Sequence, residues 1–217
     1  MGAFPDSSLF NKLKISDQID NIGNIDDSGK IYTSFLKQRW VLEVTSVLLT
    51  TAQYQSLYPF LIKQNGSSGV FTFQYPLNPQ STKLDSFDYS SKTFYPDGAM
   101  TKGSTSYSTF LKSDDDSTDG GGLMYAYPGD FITFSNHSKV YKITTTHIIH
   151  MDDIDSAGLG STTLGLYPAL VEDIPATGVT ATIYRPNFTV RLASEVQSFE
   201  TDTAGYFKLK FNIVEDY

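Results

Sequence analysis

The sequence predicts a mainly β protein, a β-sandwich or split barrel with one inserted α-helix and a long polar loop insertion. Short stretches of alternating apolar and polar residues recur at close spacing, and a single stretch carries helical spacing; that combination belongs to layered or closed β architectures. The aromatic content agrees. With 15 Phe and 14 Tyr against 18% charged residues in a chain of 217, the side chains suit pleated, half-buried surfaces.

Residues 1–30 are expected to be an N-terminal arm, because periodicity is weak and Asn21-Ile22-Gly23-Asn24 through Gly29 reads as turn chemistry. Residues 31–217 are expected to form one β-rich domain. Its first strand is Arg39–Leu48, with Trp40, Leu42 and Val44 on one face and Arg39, Glu43 and Thr45 on the other. Thr50 or Thr51 can cap a helix over about residues 51–64, where Tyr54, Leu57, Tyr58 and Leu61 share a face and Asn65-Gly66 stops it. Pro59 lies inside and is expected to kink that helix or start a second one. A strand at Val70–Tyr75 completes a strand–helix–strand unit over 39–76.

Residues 77–122 form the polar insertion, ending in Ser113-Asp114-Asp115-Asp116-Ser117-Thr118-Asp119-Gly120-Gly121-Gly122. It is longer than a routine connection. Its Phe87, Tyr89, Phe94, Tyr95, Tyr107 and Phe110 argue for order. The expectation is a long loop or hairpin that packs against a neighbouring subunit. From 123 onward the β segment resumes: a Pro128-Gly129-Asp130 turn, a strand Phe131–Phe134, a loop Ser135–Ser138 and a return strand Lys139–Ile149. Strands follow at Thr162–Tyr167, cut off by Pro168, at Val179–Tyr184 and at Phe188–Leu192. The last alternates Phe207, Leu209, Phe211 and Ile213 with polar neighbours.

Several chemistries are excluded or left without residues. A formal charge of −8, from 24 acidic and 16 basic residues, disfavours a general nucleic-acid surface. Without cysteine there is no disulfide, thiolate zinc site or Cys nucleophile. No apolar run is long enough for a membrane-spanning helix, and the first residues lack a secretory signal's basic and apolar regions. His147 and His150, with Asp152 and Asp153, resemble a metal cluster, but strand residues three apart face opposite ways. Asp114, Asp115, Asp116 and Asp119 with Gly120 invite a calcium-loop reading, yet that alignment sets Ala126 where a bidentate Glu belongs. His137 reads as a solvated turn residue. Nucleophile-elbow, phosphate-loop and dinucleotide patterns are missing. The expectation is therefore no catalytic, cofactor-binding or metal residue, and no enzyme.

Two blocks carry a family resemblance. The first is Arg39-Trp40-x-Leu42-x-Val44, Leu49-Thr50, Tyr54-x-x-Leu57-x-x-Phe60-Leu61, Asn65-Gly66 and Gly69-x-Phe71-x-Phe73-x-Tyr75-Pro76. The second is Pro128-Gly129-Asp130-Phe131-Ile132-x-Phe134, Lys139-Val140-Tyr141-Lys142-Ile143, Leu164-x-Leu166-Tyr167-Pro168-Ala169-Leu170, Phe188-x-Val190-x-Leu192 and Phe207-x-Leu209-x-Phe211-x-Ile213-x-Glu215. In this order they resemble distal-tail-type and minor tail proteins of tailed bacteriophages. The resemblance implies a virion protein of the tail tip or baseplate. It would form a homo-oligomeric, sixfold ring (a hexamer) around the tail channel and contact tail tube, hub or fibres. It brings no catalytic residues. The acidic balance would suit a channel along which DNA slides. A different class stays open: a receptor- or glycan-binding module whose Tyr89, Phe94 and Tyr95 stack on sugars.

Overall fold

A computed structural model describes residues 2–5, 7–25, 31–75, 94–112, 124–145, 147–149, 159–183, 185–194, 198–202 and 204–217. In chain order the strands begin with β1 (Gly2–Ala3), β2 (Phe10–Ile25) and β3 (Ile31–Ser46), followed by helix α1 (Thr51–Lys63) and β4 (Val70–Gln74). Next come β5 (Phe94–Pro96), β6 (Ser106–Lys112), β7 (Met124–Ala126), β8 (Phe131–Phe134), β9 (Val140–Ile143) and β10 (His147–Ile149). The remainder are β11 (Leu159–Tyr167), β12 (Ala181–Thr182), β13 (Asn187–Leu192), β14 (Ser198–Thr201) and β15 (Phe207–Glu215). The fold is mainly β with one α-helix among the described residues, as the sequence predicts.

The chain forms two compact units, Met1–Phe73 with Thr189–Asp216, and Gln74–Phe188 with Tyr217. The sequence leads one to expect a single domain over 31–217; apolar alternation marks strands but does not say which strands share a core.

The first unit is a seven-stranded sheet ordered β1-β4-β13-β15-β3-β2, with β14 also on β15. Residues 10–25, expected as part of an arm, are instead an edge strand. They pair with β3 from Phe10 opposite Ser46 to Ile25 opposite Ile31. The signal is faint because an edge strand is wet: Asn11, Lys12, Lys14, Asp17, Gln18 and Ile19 are all exposed. On β3, Trp40, Leu42 and Val44 are buried while Arg39, Glu43 and Thr45 are half-buried, so the predicted faces hold. A phenylalanine cluster fills this core. Phe4 alone lies 5.4 Å from Phe10, 5.4 Å from Phe60, 6.1 Å from Phe71, 5.5 Å from Phe73 and 5.9 Å from Phe211, centroid to centroid. Pro59 sits within a continuous α1 and starts no second helix.

The second unit closes a six-stranded barrel, β11-β6-β5-β12-β8-β9, beside a two-stranded sheet of β7 and β10. Side chains fill its interior, as they do in small barrels: Phe94, Tyr107, Ile132, Phe134, Tyr141, Ile143, Leu164 and Leu166 are all buried. Residues 94–112 thus belong to the barrel of their own chain. The expectation that the insertion packs on a neighbour is corrected for this part, and 77–93 and 113–122 lie outside the described residues. The predicted return strand 139–149 splits into β9 and β10. Thr144 and Thr145 leave the ladder to meet Gly165, whose amide donates to Thr145 Oγ1 at 2.7 Å. A Cβ on Gly165 would stand 2.5 Å from Thr144 Oγ1 and 2.9 Å from Thr145 Cγ2, so a side chain there would force both threonines to shift. Strand β11 ends at Tyr167, before a cis bond to Pro168.

Candidate interaction surfaces

Helix α1 is set by its ends. Thr50 and Gln53 form a capping box: Gln53 Oε1 accepts from the Thr50 amide at 2.9 Å, and Thr50 Oγ1 accepts from the Gln53 amide at 3.4 Å. Asn65 takes the left-handed conformation at φ 52° just beyond Lys63 and Gln64. Leu57 and Leu61 face the core. One helical step around, Tyr54 and Tyr58 lie side by side, as residues four apart must.

Those two tyrosines meet two phenylalanines of the sheet. The Tyr54 ring stacks on Phe207 at 4.2 Å and on Tyr58 at 5.0 Å, and Phe199 contacts Tyr54 at 5.6 Å and Tyr58 at 5.3 Å. The β14–β15 turn places Phe199. Asp202 Oδ1 accepts from the amides of Ala204 at 2.9 Å and Tyr206 at 2.8 Å, Gly205 takes φ +81°, and Phe199 stands opposite Leu209. Phe199 nevertheless remains 45% exposed and the adjoining Tyr206 44%. Burial, and then the neighbouring Tyr58, push the Tyr54 phenol up. Sequence reasoning misses this open aromatic cluster: it puts Tyr54 and Tyr58 on the helix but gives no sign of β14.

Strand β2 presents the second surface. Strand β15 covers β3 only from Val41 to Thr45. Beyond Val41, among the described residues, the β2–β3 pair runs on as a two-stranded ribbon from Asp17 opposite Trp40 to Ile25 opposite Ile31, about 30 Å at the usual rise. Lys14 Nζ donates to Glu43 Oε1 at 2.8 Å across the pair, and this hydrogen bond, followed by the lysine's charge, lowers the Glu43 carboxyl.

In the second unit the Pro128-Gly129-Asp130 turn forms as predicted. Gly129 takes φ +103° and Asp130 Oδ2 accepts from the Tyr127 amide at 3.1 Å. Asp130 is buried, its Oδ1 has no hydrogen-bond partner among the described residues, and burial raises its carboxyl despite the Tyr127 amide.

His137 is not the solvated turn residue expected. It is half-buried and stacked 5.6 Å from Phe134, with Nε2 2.8 Å from Tyr141 Oη and Nδ1 2.8 Å from Asn136 Oδ1. The Val171 amide donates to Tyr141 Oη at 3.1 Å and Asn136 Nδ2 donates to the Asp173 carbonyl at 3.1 Å. Asn136 Oδ1 can only accept, so Nδ1 carries the proton and Nε2 accepts from the tyrosine hydroxyl. Neutral imidazole completes this relay.

The other sequence candidates divide. His147 lies on β10 opposite Ala126; His150, Asp152, Asp153, Asp114, Asp115, Asp116, Asp119, Gly120 and Tyr89 lie outside the described residues. Phe94 is 3% exposed in the barrel core, and Tyr95 is half-buried, its carbonyl accepting from Thr109 Oγ1 at 2.8 Å. Among the described residues no three His, Asp or Glu side chains gather into a metal site, and no helix is long and apolar enough to cross a membrane. Comparison with protein-family models and with curated proteins finds no match for this chain.

Proposed function

We propose that this chain is a structural virion protein of a phage tail tip or baseplate, built into a closed ring around the tail channel and joined there to tail tube, hub or fibres. The observation that carries this reading is the open cluster of Tyr54, Tyr58, Phe199 and Phe207. A ring subunit must meet two identical neighbours through one heterologous contact that closes. Aromatic side chains are enriched where such contacts are buried. A cluster that already stacks four rings loses little side-chain entropy on being covered, because its rotamers are held by one another. The resemblance in motif order supplies the tail context, and the proposal needs neither catalytic residue nor cofactor.

The receptor- or glycan-binding alternative is weaker here, since Phe94 is in a core rather than on a platform. The test is Phe199→Glu, examined by sedimentation velocity with Trp40 fluorescence as a check on folding. The expected result is self-association weakened at least tenfold, about 1.4 kcal/mol, with the tryptophan signal unchanged. Unaltered association would remove this cluster from the subunit contact.

A further inference from the structure

We propose that β2 is a two-fold docking edge on which a second copy of this chain adds its own β2, antiparallel and centred on Ser16. This contact is separate from the head-to-tail ring contact and does not depend on it.

Three observations lead to it. Strand β2 ends the sheet order, with no strand on its outer side among the described residues. Its register against β3 is unbroken from Lys12 to Asp20, between the irregularities at Phe10/Lys12 and Asp20/Asn21. And that regular stretch, Lys-Leu-Lys-Ile-Ser-Asp-Gln-Ile-Asp, is complementary to its own reverse.

A two-fold axis perpendicular to the sheet keeps the faces together, so opposed residues must share parity. With Ser16 opposite Ser16, Lys12 of each copy faces Asp20 of the other and Lys14 faces Gln18. On the other face Leu13 meets Ile19 and Ile15 meets Asp17. Both Lys–Asp pairs are attractive, and the two Leu–Ile pairs cover Ile19, which is 45% exposed. Opposed pairs of these kinds stabilise antiparallel strands. Of the neighbouring registers, one keeps a lysine, Lys14, opposite Asp20 but sets Asp17 against Asp17 at its centre, and the other moves Asp20 away from both Lys12 and Lys14. Lysines commonly guard edge strands against pairing. Here each guard finds a carboxylate or an amide on the same strand of a second copy.

The chain has no cysteine, so Ser16→Cys carries a single thiol. Opposed Cα atoms in antiparallel strands are about 4.5–5.5 Å apart, within disulfide reach. Under mild oxidation the folded variant should form a disulfide dimer at least tenfold faster than Gln18→Cys. A mixture of Lys14→Cys and Gln18→Cys should cross-link where neither alone does. Lys12→Asp should slow Ser16→Cys cross-linking, and adding Asp20→Lys should restore it. Equal rates for Ser16→Cys and Gln18→Cys, or no rescue by the charge swap, would overturn the pairing. If Ser16→Cys dimerises while nothing larger than a dimer forms, the ring reading fails and the edge pairing stands. If rings form without Ser16→Cys dimers, the edge pairing fails and the ring reading stands.

Discussion

Phe4 offers the sharpest test of the first unit, because a residue expected in a loose arm sits at the hub of its core. Only 8% of Phe4 is exposed, and its amide donates to the Thr72 carbonyl at 2.8 Å. Burying about 150–250 Å² of aromatic surface at about 25 cal/mol per Å² sets an upper bound of about 4–6 kcal/mol. Phe→Ala changes in cores cost about 3–5 kcal/mol. A short N-terminal segment can readjust around the loss, so the expected cost of Phe4→Ala is about 3 kcal/mol, at the low end of that range. The chain's single tryptophan, Trp40, is 4% exposed in the same unit, and its fluorescence during urea denaturation reports this unit. With a slope of about 2 kcal/mol per molar, the midpoint should fall by about 1.5 M. Phe4→Leu, which keeps most of the volume, should cost less than half as much. A loss under about 1 kcal/mol for Phe4→Ala, the range of an ordinary surface change, would refute the packing of Phe4.

Three further outcomes concern the barrel. Among the described residues the fully buried Tyr107 hydroxyl makes no hydrogen bond of good geometry; burial pushes its phenol up to about 12, with a weak side-chain hydrogen bond with Thr109 pulling the other way. Tyr107→Phe should therefore stabilise the barrel, by about 1 kcal/mol, and a loss of that size in thermal melts would reveal a bond the hydroxyl makes. For Asp130 the folded carboxyl lies above its ordinary value. Its protonation favours the fold, and that stability is lost as pH rises through the folded pKa. Asp130→Asn should be more stable than the wild type at neutral pH, with the gap closing toward acid; a gap that widens toward acid would contradict this. For His137, burial first and Lys139 next lower the imidazole from its ordinary 6.5, while Glu172 works against them. Its contribution is present above that value and lost as pH falls toward the folded pKa. Tyrosine circular dichroism should show the barrel weakening below neutral pH, and His137→Gln should flatten that dependence.

Much of this architecture is readable in the chain. Helix α1 falls within one residue of its expected bounds, because Thr50 and Asn65-Gly66 are strong local signals acting on a clear apolar stripe. Strand β15 is equally plain, with Leu209, Phe211 and Ile213 buried in alternation. The misses share a cause: pairing is non-local. Strand β2 has Leu13 and Ile15 only half-buried and so shows weak contrast between its faces. Residues 106–109 alternate Ser106 and Ser108 with buried Tyr107 and Thr109, which reads as polar loop until a barrel closes around them. The open aromatic cluster needs the β14–β15 hairpin to bring Phe199 to Tyr54 and Tyr58, a meeting of residues over 140 positions apart. The His137 relay likewise joins two segments that no motif links.

The native mass of the purified full chain, measured in solution at micromolar concentration, tests the ring most directly. A ring subunit should give a closed assembly, a hexamer or a pair of hexamers, at the matching multiple of 24.1 kDa. A single species of 24.1 kDa that persists as concentration rises would contradict it.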